Sequence, residues 1–288
     1  MHEQHPYIPQ QDEVRRRFER AAATFDEADF VHRHTAAGLL ERLAPMRIAS
    51  GRVLDLGAAT GTLSRALAKR FRRSHVVSID LAHAMLRRAR KARSRFARIG
   101  EVEADATRLP LADRSVDVVV CNQLLPWLAD GAALFDEVAR VLRRDGLFAF
   151  ATLGPDSLAE LRTAWGEGAH VHRFADMHDT GDALLRAGLC DPVLDVDRLT
   201  IDYRDTAGLY RDLAACGARN CLAGRRRTLT GKGRWLAAER ELAAQMRDGT
   251  LSLDLELVYG HAWGGGTRAR EGEFRVDVAA IGRRRGAP

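Results

Sequence analysis

Residues 53–61 read VLDLGAATG, a short apolar run that ends in an acid and passes into a turn of small residues. A helical pattern follows, and a second apolar run over residues 76–79 ends at Asp80. A strand, a glycine turn, a helix and an acid at the next strand end together make a nucleotide-binding half-fold. The turn has to be small so that backbone can approach a ligand closely, and the acid suits ribose hydroxyls.

The spacing of the glycines indicates the kind of nucleotide. Gly57 and Gly61 are four residues apart and lack the Gly-x-Gly pair of a dinucleotide site. With Asp55 ahead of Gly57, the turn resembles motif I of the class I S-adenosylmethionine-dependent methyltransferases, whose sulfonium nucleoside has no phosphate to cradle. Ala59 stands where that motif usually has its middle glycine, a change that we expect to be tolerated if Ala59 keeps a negative φ. Taken alone, the turn is also compatible with an ordinary strand–helix connection that binds nothing.

Length and composition bound the class of protein. The chain has 288 residues, of which 46% are hydrophobic, enough for one large domain, or a domain with a cap, around a sizeable core. No apolar run approaches the ~18 residues of a transmembrane helix, and the polar N-terminus lacks a signal-peptide pattern. The four cysteines are scattered and form no C-x-x-C pair, which argues against zinc and redox sites. We therefore expect a cytoplasmic protein that does not interact with membranes.

The charge of the chain points to an anionic partner without identifying it. A net charge of +6 fits nucleic acid or an acidic carrier protein, and equally a generally charged surface. Two basic segments, residues 87–98 and 224–234, could dock an acidic protein. Aromatic residues make up only 6% of the chain and no RNA-binding module is recognisable, so we expect no nucleic-acid partner.

Hydrophobic periodicity predicts alternating strands and helices after an N-terminal helical region at residues 12–44. The predicted strands lie at residues 52–56, 75–80, 99–104, 116–122, 147–153, 193–203, 251–260 and 273–282. The predicted helices lie at residues 61–71, 83–95, 131–143, 156–165 and 178–188, with a further helical stretch at 205–247. Five alternations at short spacing predict an α/β fold, a Rossmann-like, seven-stranded, mostly parallel sheet with helices on both faces.

The second half of the chain predicts additions to this core. We expect the strands at 251–260 and 273–282 to complete the sheet as a reversed edge hairpin. The stretch 205–247 would then be a helical cap inserted over the ligand crevice. The corresponding division is an N-terminal helical segment at 1–50, an S-adenosylmethionine-binding core at 51–155, and the remainder of the sheet with its cap at 156–288.

Polar or small residues stand at five predicted strand ends, which is where open α/β sheets bind their ligands. These residues are Asp55, Gly57, Asp80, Asp105 and Asn122. The resemblance to methyltransferases implies that Asp80 holds the ribose hydroxyls and that Asp105 accepts from the adenine amino group, beside the amide of Ala106. It also implies that the backbone of residues 57–61, Ala59 included, faces the methionine portion, and that Leu81 and Met85 pack against adenine. Asp105 could instead cap a turn, and Met85 could be plain core.

Longer motifs outside the glycine turn are more specific. They are FERAA at 18–22 with Phe25, TLGPDSLAELR at 152–162, HRFADMHD at 172–179, GDALL at 181–185, LAGR at 222–225 and VYGHAW at 258–263. These motifs resemble the BioC family, the malonyl-acyl-carrier-protein O-methyltransferases of biotin synthesis, over nearly the whole chain. Phe25 departs from the pattern, since many members have tyrosine there.

The resemblance implies a reaction. A methyl group would pass from S-adenosylmethionine to the free carboxylate of a malonyl thioester on acyl carrier protein, or of malonyl-CoA, to prime biotin synthesis. A carboxylate with a reference pKa of about 4 is ionised at neutral pH, so we expect no general base. Proximity, in-line orientation and a dry site would supply the rate. An arginine is the expected clamp for the anion, with Arg162, Arg173 and Arg225 as candidates that could also be surface charges.

Other interpretations stay open. A group of metal-competent side chains comprises His170, His172, Asp176, His178 and Asp179, but the spacing matches no standard signature and we expect no metal. His261 could line an acyl pocket or fill an edge strand. A mitochondrial assembly factor that hydroxylates a protein arginine shares the region of residues 220–221. Another small-molecule methyltransferase, an RNA methyltransferase and a non-catalytic binding protein are further alternatives.

Overall fold

A mixed sheet of seven strands organises the computed structural model, which describes residues 5–48, 50–166 and 168–265. The strands are β1 (Arg52–Leu56), β2 (His75–Asp80), β3 (Ile99–Glu103), β4 (Val116–Asn122), β5 (Leu142–Leu153), β6 (Leu189–Tyr203) and β7 (Leu251–Gly264). Their spatial order is β3-β2-β1-β4-β5-β7-β6. The first five are paired in parallel, and β7 runs antiparallel to both of its neighbours. The predicted Rossmann-like, mostly parallel sheet is confirmed.

Helices cover both faces of this sheet. They are α1 (Gln11–Ala21), α2 (Phe30–Leu43), α3 (Thr62–Arg70), α4 (His83–Ala92), α5 (Gly131–Val141), α6 (Ala159–Trp165), α7 (Met177–Arg186), α8 (Thr206–Ala215) and α9 (Lys232–Gln245). On one face Leu39 of α2 and Leu67 of α3 join the core, and on the other Leu134 of α5 and Leu184 of α7 do so. The N-terminal region predicted as one helical stretch is two helices, separated by the single turn Phe25–Glu27.

Strand β4 shows why the parallel strands lie at the centre. Its apolar residues from Val116 to Cys121 are at most 3% exposed, as a strand covered on both faces requires. Its one acid, Asp117, lies at the amino end and accepts hydrogen bonds from the backbone N–H groups of Gly51 (2.7 Å) and Arg52 (2.8 Å). The amino edge of the sheet is thus occupied by structural contacts, which leaves the carboxyl edge for a ligand.

Strands β6 and β7 form the reversed edge of the sheet and correct one prediction. Residues 251–260 belong to β7 as expected, but the antiparallel partner of β7 is β6 and not residues 273–282. The physical reason is that β7 lies against β5 on one side, so it has one further edge to offer, and β6 fills it. Residues 273–282 lie outside the described residues.

Among the element boundaries that differ from the prediction, two show a non-glycine residue with a left-handed backbone close to the boundary. β5 begins at Leu142 rather than at residue 147, directly after α5, and Asp145 within it has a φ of 58°. α6 begins at Ala159 rather than at residue 156, since Leu158 at its N-cap has a φ of 60°. Such conformations are uncommon for these residue types, so residue type does not predict them.

Helices α8 and α9 are inserted between β6 and β7, within the stretch 205–247 that was predicted to be helical. Together with α6 and the beginning of β7 they enclose an apolar cluster of their own. Its members, each at most 5% exposed, are Leu161, Leu209, Leu242, Leu251 and Leu253. We call α8, α9 and their connection the cap. In the part of the chain that the structure describes, no helix is long and apolar enough to cross a membrane.

Candidate active site

A cavity of about 210 Å³ lies at the carboxyl ends of β1, β2 and β4. Seven of the ten residues predicted from the sequence line it, namely Gly57, Ala59, Asp80, Leu81, Asp105, Ala106 and Asn122. The other three do not line it. Asp55 is buried beneath the turn, Gly61 begins α3, and Met85 is fully buried between α4 and the N-terminal region. We call this space the nucleoside cavity, because carboxylates and apolar walls converge in it.

The turn after β1 brings backbone to the cavity wall. The N–H groups of Gly57 and Ala58 both donate to the carbonyl of Ile79 (2.9 and 3.0 Å), which ties the turn to the end of β2. Gly57, Ala59 and Gly61 have φ values of 71°, 46° and 78°, all in the left-handed region. Ala59 therefore does not meet the condition, a negative φ, under which its presence in the turn was expected to be tolerated. In this conformation the N–H of Ala59 is directed at a carboxylate on the neighbouring strand.

The carboxylate of Asp80 is that acceptor. Its Oδ2 accepts from the N–H of Ala59 (2.9 Å) and its Oδ1 from the N–H of Ala82 (2.8 Å). Burial raises the pKa of Asp80 to about 6, with these two hydrogen bonds opposing the rise and the charge of Glu19 adding to it. The carboxylate is thus rigidly held, and it still lines the cavity with lone pairs available to a pair of adjacent hydroxyls.

Asp55 supports the turn from below. It is 1% exposed and accepts a hydrogen bond from Oγ of Ser64, which in turn accepts from Oγ of Ser78 (2.8 Å). Burial raises the pKa of Asp55 to about 7, the bond from Ser64 opposes this rise, and the charge of Asp80 adds to it. The chain of hydroxyls links β1, α3 and β2 behind the glycine turn.

Asp105 is held from two directions. Its Oδ1 accepts from the N–H (2.9 Å) and Oγ1 (2.8 Å) of Thr107, and its Oδ2 accepts from Nε2 of Gln11 on α1 (2.5 Å). Burial raises the pKa of Asp105, but these hydrogen bonds outweigh burial and leave the pKa below its usual range. Arg15, one turn further along α1, pairs with Glu103. Helix α1 therefore forms one wall of the nucleoside cavity.

Asn122 fastens α2 to the end of β4. Its Nδ2 donates to the carbonyl of His32 (2.9 Å) and its Oδ1 accepts from Oγ1 of Thr35 (2.7 Å). The imidazole of His32 then lies against the ring of Phe25, with 5.0 Å between the ring centroids. Burial lowers the pKa of His32 to about 4, so the imidazole is neutral at pH 7. Asn122 lines the cavity as predicted, but its side-chain amide is used to position α2.

A second cavity, of about 560 Å³, adjoins the first and reaches under the cap. We call it the acceptor cavity. Its walls are mainly apolar and aromatic. Trp235 of the cap packs against Trp165 and Tyr210, with 5.7 and 4.9 Å between the ring centroids. Three residues line both cavities: His32, Gln123 and Trp127. These three mark the junction across which a group could pass between two ligands.

Of the three arginines predicted as clamps, Arg225 is the one that lines the acceptor cavity. Its side chain is 15% exposed, and its guanidinium pairs with Glu13 (3.1 Å) and donates to Oε1 of Gln10 (2.8 Å). Arg17 lines the same cavity and shares Glu13 at 3.7 Å. The acceptor cavity therefore carries positive charge on the wall that α1 forms with the loop after α8.

Arg162 and Arg173 are used elsewhere. Arg162 donates to the carbonyls of Ser157 (2.6 Å) and Pro155 (2.8 Å), which stabilises the turn ahead of α6. Arg173 lies over the ring of Tyr7, 3.9 Å from its centroid. Neither side chain lines either cavity.

The metal-competent residues between 170 and 179 make separate contacts. His170 stacks on Trp165 with 4.9 Å between centroids, and Nδ1 of His172 donates to the carbonyl of Pro126 (2.8 Å). Asp176 caps α7 through the N–H of residue 178. Within the described ranges, no group of three or more such residues could hold a metal ion. His261 pairs along β7 and lines neither cavity.

Sequence reasoning missed two groups of residues that line the nucleoside cavity. One comes from the N-terminal region and comprises Gln11, Val14, Arg15, Phe18 and Phe25. The other follows β4 and comprises Gln123, Leu124 and Trp127. The second group carried a signal, because ligands of an open α/β sheet bind just beyond the strand ends and Gln123 is the first residue after Asn122. The first group gave no signal in the sequence, because hydrophobic periodicity does not show which strand ends a helix packs against.

Comparisons with known proteins identify a family by sequence and agree with the observed fold. Residues 54–150 match the family model described as a methyltransferase domain. The chain is 45% identical over 281 residues to the malonyl-acyl-carrier-protein O-methyltransferase of Halorhodospira halophila, covering 94% of this chain and 95% of that protein. It is 44% identical over 266 residues to the protein of the same name from Methylovorus sp., covering 89% and 90%. In fold it resembles the crystal structure of YcgJ from Bacillus subtilis, with a TM-score of 0.58 at 18% identity over 81% of this chain and 100% of that one.

Proposed function

The chain belongs to the malonyl-acyl-carrier-protein O-methyltransferase family, and from this premise we propose that it methylates the free carboxylate of a malonyl thioester on acyl carrier protein. The methyl donor is S-adenosylmethionine. The observation that carries the proposal is the pair of adjoining cavities that share a three-residue junction. One cavity has the acids of a nucleoside site, and the other is larger, apolar and covered by the cap.

The nucleoside cavity fits S-adenosylmethionine. At Gly57 a Cβ would lie 3.2 Å from Leu124, so a side chain there would crowd this residue of the cavity wall. We propose that Asp80 accepts from the ribose hydroxyls, that Asp105 accepts from the adenine amino group, and that Leu81 packs against the adenine. S-adenosylmethionine supplies a methyl group on a positively charged sulfur, which makes that methyl electrophilic.

We propose that the remaining predicted residues support the cofactor site through contacts with other residues. We infer that Asp55 holds the glycine turn through the hydroxyl of Ser64. Gly61 lets α3 approach α4, since a Cβ there would lie 2.9 Å from the Cβ of Ala89. Met85 packs in the cluster that joins α4 to the N-terminal region. Asn122 keeps α2 over the cavity.

The acceptor requires no general base. A malonyl carboxylate is already ionised at neutral pH, and ester formation neutralises it without moving a proton. The nearest imidazole at the junction, His32, has a pKa lowered to about 4 by burial and is bonded through its backbone rather than to an acid. The rate would come from holding the carboxylate at the junction and from excluding water by the apolar walls.

The acidic carrier would dock beside the cap. Of the two basic segments, residues 224–234 include Arg225, Arg226 and Thr230, which line the acceptor cavity, whereas residues 87–98 contribute no lining residue. Positive charge at the mouth of the cavity would steer an acidic protein toward it. The protein-arginine hydroxylase is not favoured, because the relatives described above are named as methyltransferases.

A panel of carrier thioesters tests the proposal. Malonyl carrier protein should yield a methyl ester, acetyl carrier protein should yield none because it has no carboxylate, and succinyl carrier protein should react more slowly because its charge is displaced by one methylene. Arg225→Ala removes positive charge beside the acceptor cavity, so it should weaken carrier binding and reduce turnover more than it reduces S-adenosylmethionine affinity. The matched control is Arg198→Ala, whose side chain is 66% exposed. Equal conversion of all three thioesters would contradict the proposal.

A further inference from the structure

The junction between the two cavities is the place where the acceptor oxygen must lie. If the donor occupies the nucleoside cavity and the thioester the acceptor cavity, as proposed above, the methyl group crosses where His32, Gln123 and Trp127 line both spaces. The indole of Trp127 is braced edge-on by Phe18 and His172, each with 5.0 Å between centroids, and forms an apolar wall. Besides the indole N–H of Trp127, the polar side-chain groups at the junction are those of His32 and Gln123.

Gln123 adopts an energetically unfavourable conformation in a buried position. The residue is 5% exposed, and its buried Nε2 has no hydrogen-bond partner among the described residues. Its backbone has a φ of 56°, outside the regions that glutamine prefers, and is fixed there by a 2.8 Å hydrogen bond from its N–H to the carbonyl of Ala151. A buried unpaired amide and a strained backbone at one residue are features that persist where a ligand uses them.

His32 presents a second unpaired polar atom. Its Nδ1 is buried and has no hydrogen-bond partner in the part of the chain that the structure describes. The position of the residue is set by Asn122 and Thr35, which bond its backbone carbonyl at 2.9 and 3.2 Å and so leave the imidazole to the cavities. A neutral imidazole offers one N–H donor. Two neutral side chains, one from α2 and one from the loop after β4, thus meet at the junction.

We propose that Gln123, assisted by His32, binds the carboxylate of the acceptor and makes the site selective for a carboxylated thioester. None of the arginines that line a cavity belongs to the three junction residues, and Arg225 already pairs with Glu13 and Gln10. Neutral donors also suit the chemistry, because a bidentate arginine pair would hold the carboxylate oxygens more strongly and reduce their nucleophilicity. The inference rests on the proposed function and names the residues that recognise the carboxylate of the acceptor.

A binding experiment separates recognition of the carboxylate from folding and from chemistry. The dissociation constants of malonyl and acetyl carrier protein are measured in the presence of S-adenosylhomocysteine, which blocks turnover. The wild-type protein should prefer the malonyl form. Gln123→Leu should weaken malonyl binding by roughly 10- to 100-fold, the range for a hydrogen bond to a charged group, and leave acetyl binding unchanged. Gln123→Glu should reject the malonyl form further through like-charge repulsion.

Two controls complete the experiment. Gln245→Leu, at an amide outside both cavities, should keep the malonyl preference of the wild type. His32→Phe, which keeps a ring beside Phe25, should lower the preference less than Gln123→Leu does. A Gln123→Leu protein that still prefers malonyl over acetyl carrier overturns the inference. A wild-type protein without that preference and without ester formation overturns the proposed function instead.

Discussion

Ala59 adopts a backbone conformation that glycine would adopt without strain, with a φ of 46°. An L-residue in this region costs about 1–2 kcal/mol, so we expect Ala59→Gly to raise the free energy of unfolding by about 0.5–1 kcal/mol. The matched control is Ala237→Gly on an exposed face of α9, where glycine should lower it by about 1 kcal/mol. Urea titration of both variants checks the opposite signs, and a loss in both would contradict the strained turn.

Asp55 should make the stability of the protein depend on pH. Burial raises its pKa to about 7, so the folded state binds the proton more tightly than the unfolded chain, whose aspartates titrate at about 4. The contribution of Asp55 to stability is therefore fully present below pH ~4 and is lost as the pH rises through about 7. Asp55→Asn removes this titration, and it should gain roughly 2–4 kcal/mol relative to the wild type between pH 4.5 and pH 8.

The measurement is denaturant unfolding of wild type and variant at both pH values. Asp113→Asn serves as the control, because the Asp113 side chain is 75% exposed and lies outside both cavities. Its stability relative to the wild type should change little over the same interval. A stability difference for Asp55→Asn that does not vary with pH would show that the carboxyl is not perturbed.

For individual residues, the sequence predicted which acids lie at the site but not the left-handed backbone conformations. Asp80 and Asp105 follow apolar runs, and a residue at a strand end points to the ligand edge whatever its neighbours are. The left-handed conformations of Ala59 and Gln123 were not predictable, because neither residue type favours them and the tertiary hydrogen bonds that hold them come from residues distant in the chain.

Among the elements, α1 and α2 were predicted as helical but not as walls of the site. The bond from Gln11 to Asp105 joins residues 94 positions apart, and the bond from Asn122 to His32 joins residues 90 positions apart. Hydrophobic periodicity reports which face of a helix is buried and not which strand end it crosses. Contacts of this kind follow only from the assembled fold.

Helix α9 ties the cap to the rest of the molecule through Leu242, which is fully buried in the cap cluster. We expect Leu242→Ala to lower the free energy of unfolding by about 2–4 kcal/mol. The Michaelis constant for the carrier thioester should rise while the affinity for S-adenosylmethionine stays near that of the wild type, since the cluster is separate from the nucleoside cavity. Leu236→Ala on the same helix, 46% exposed, should change stability by less than about 0.5 kcal/mol. A parallel loss of cofactor affinity in Leu242→Ala would contradict the separation.

For the whole molecule, the alternation of apolar runs predicted the parallel core and the inserted cap. It gave the wrong pairing partner for β7, because the alternation of apolar and polar residues in a strand does not show which strand lies beside it. The junction of two cavities was beyond prediction for a similar reason. Its three lining residues come from α2 and from the loop after β4, and the cap that encloses the larger cavity comes from a third region of the chain.

The most direct test of the account is the mass of the acceptor after one turnover. Purified protein is mixed with malonyl carrier protein and S-adenosylmethionine that bears a trideuterated methyl group, and the intact carrier and its released thioester arm are weighed by mass spectrometry. The account predicts that the malonyl arm gains one trideuteriomethyl group as a base-labile ester, and that acetyl carrier protein gains none. A malonyl carrier of unchanged mass, with the label found on a protein side chain or on RNA instead, would contradict it.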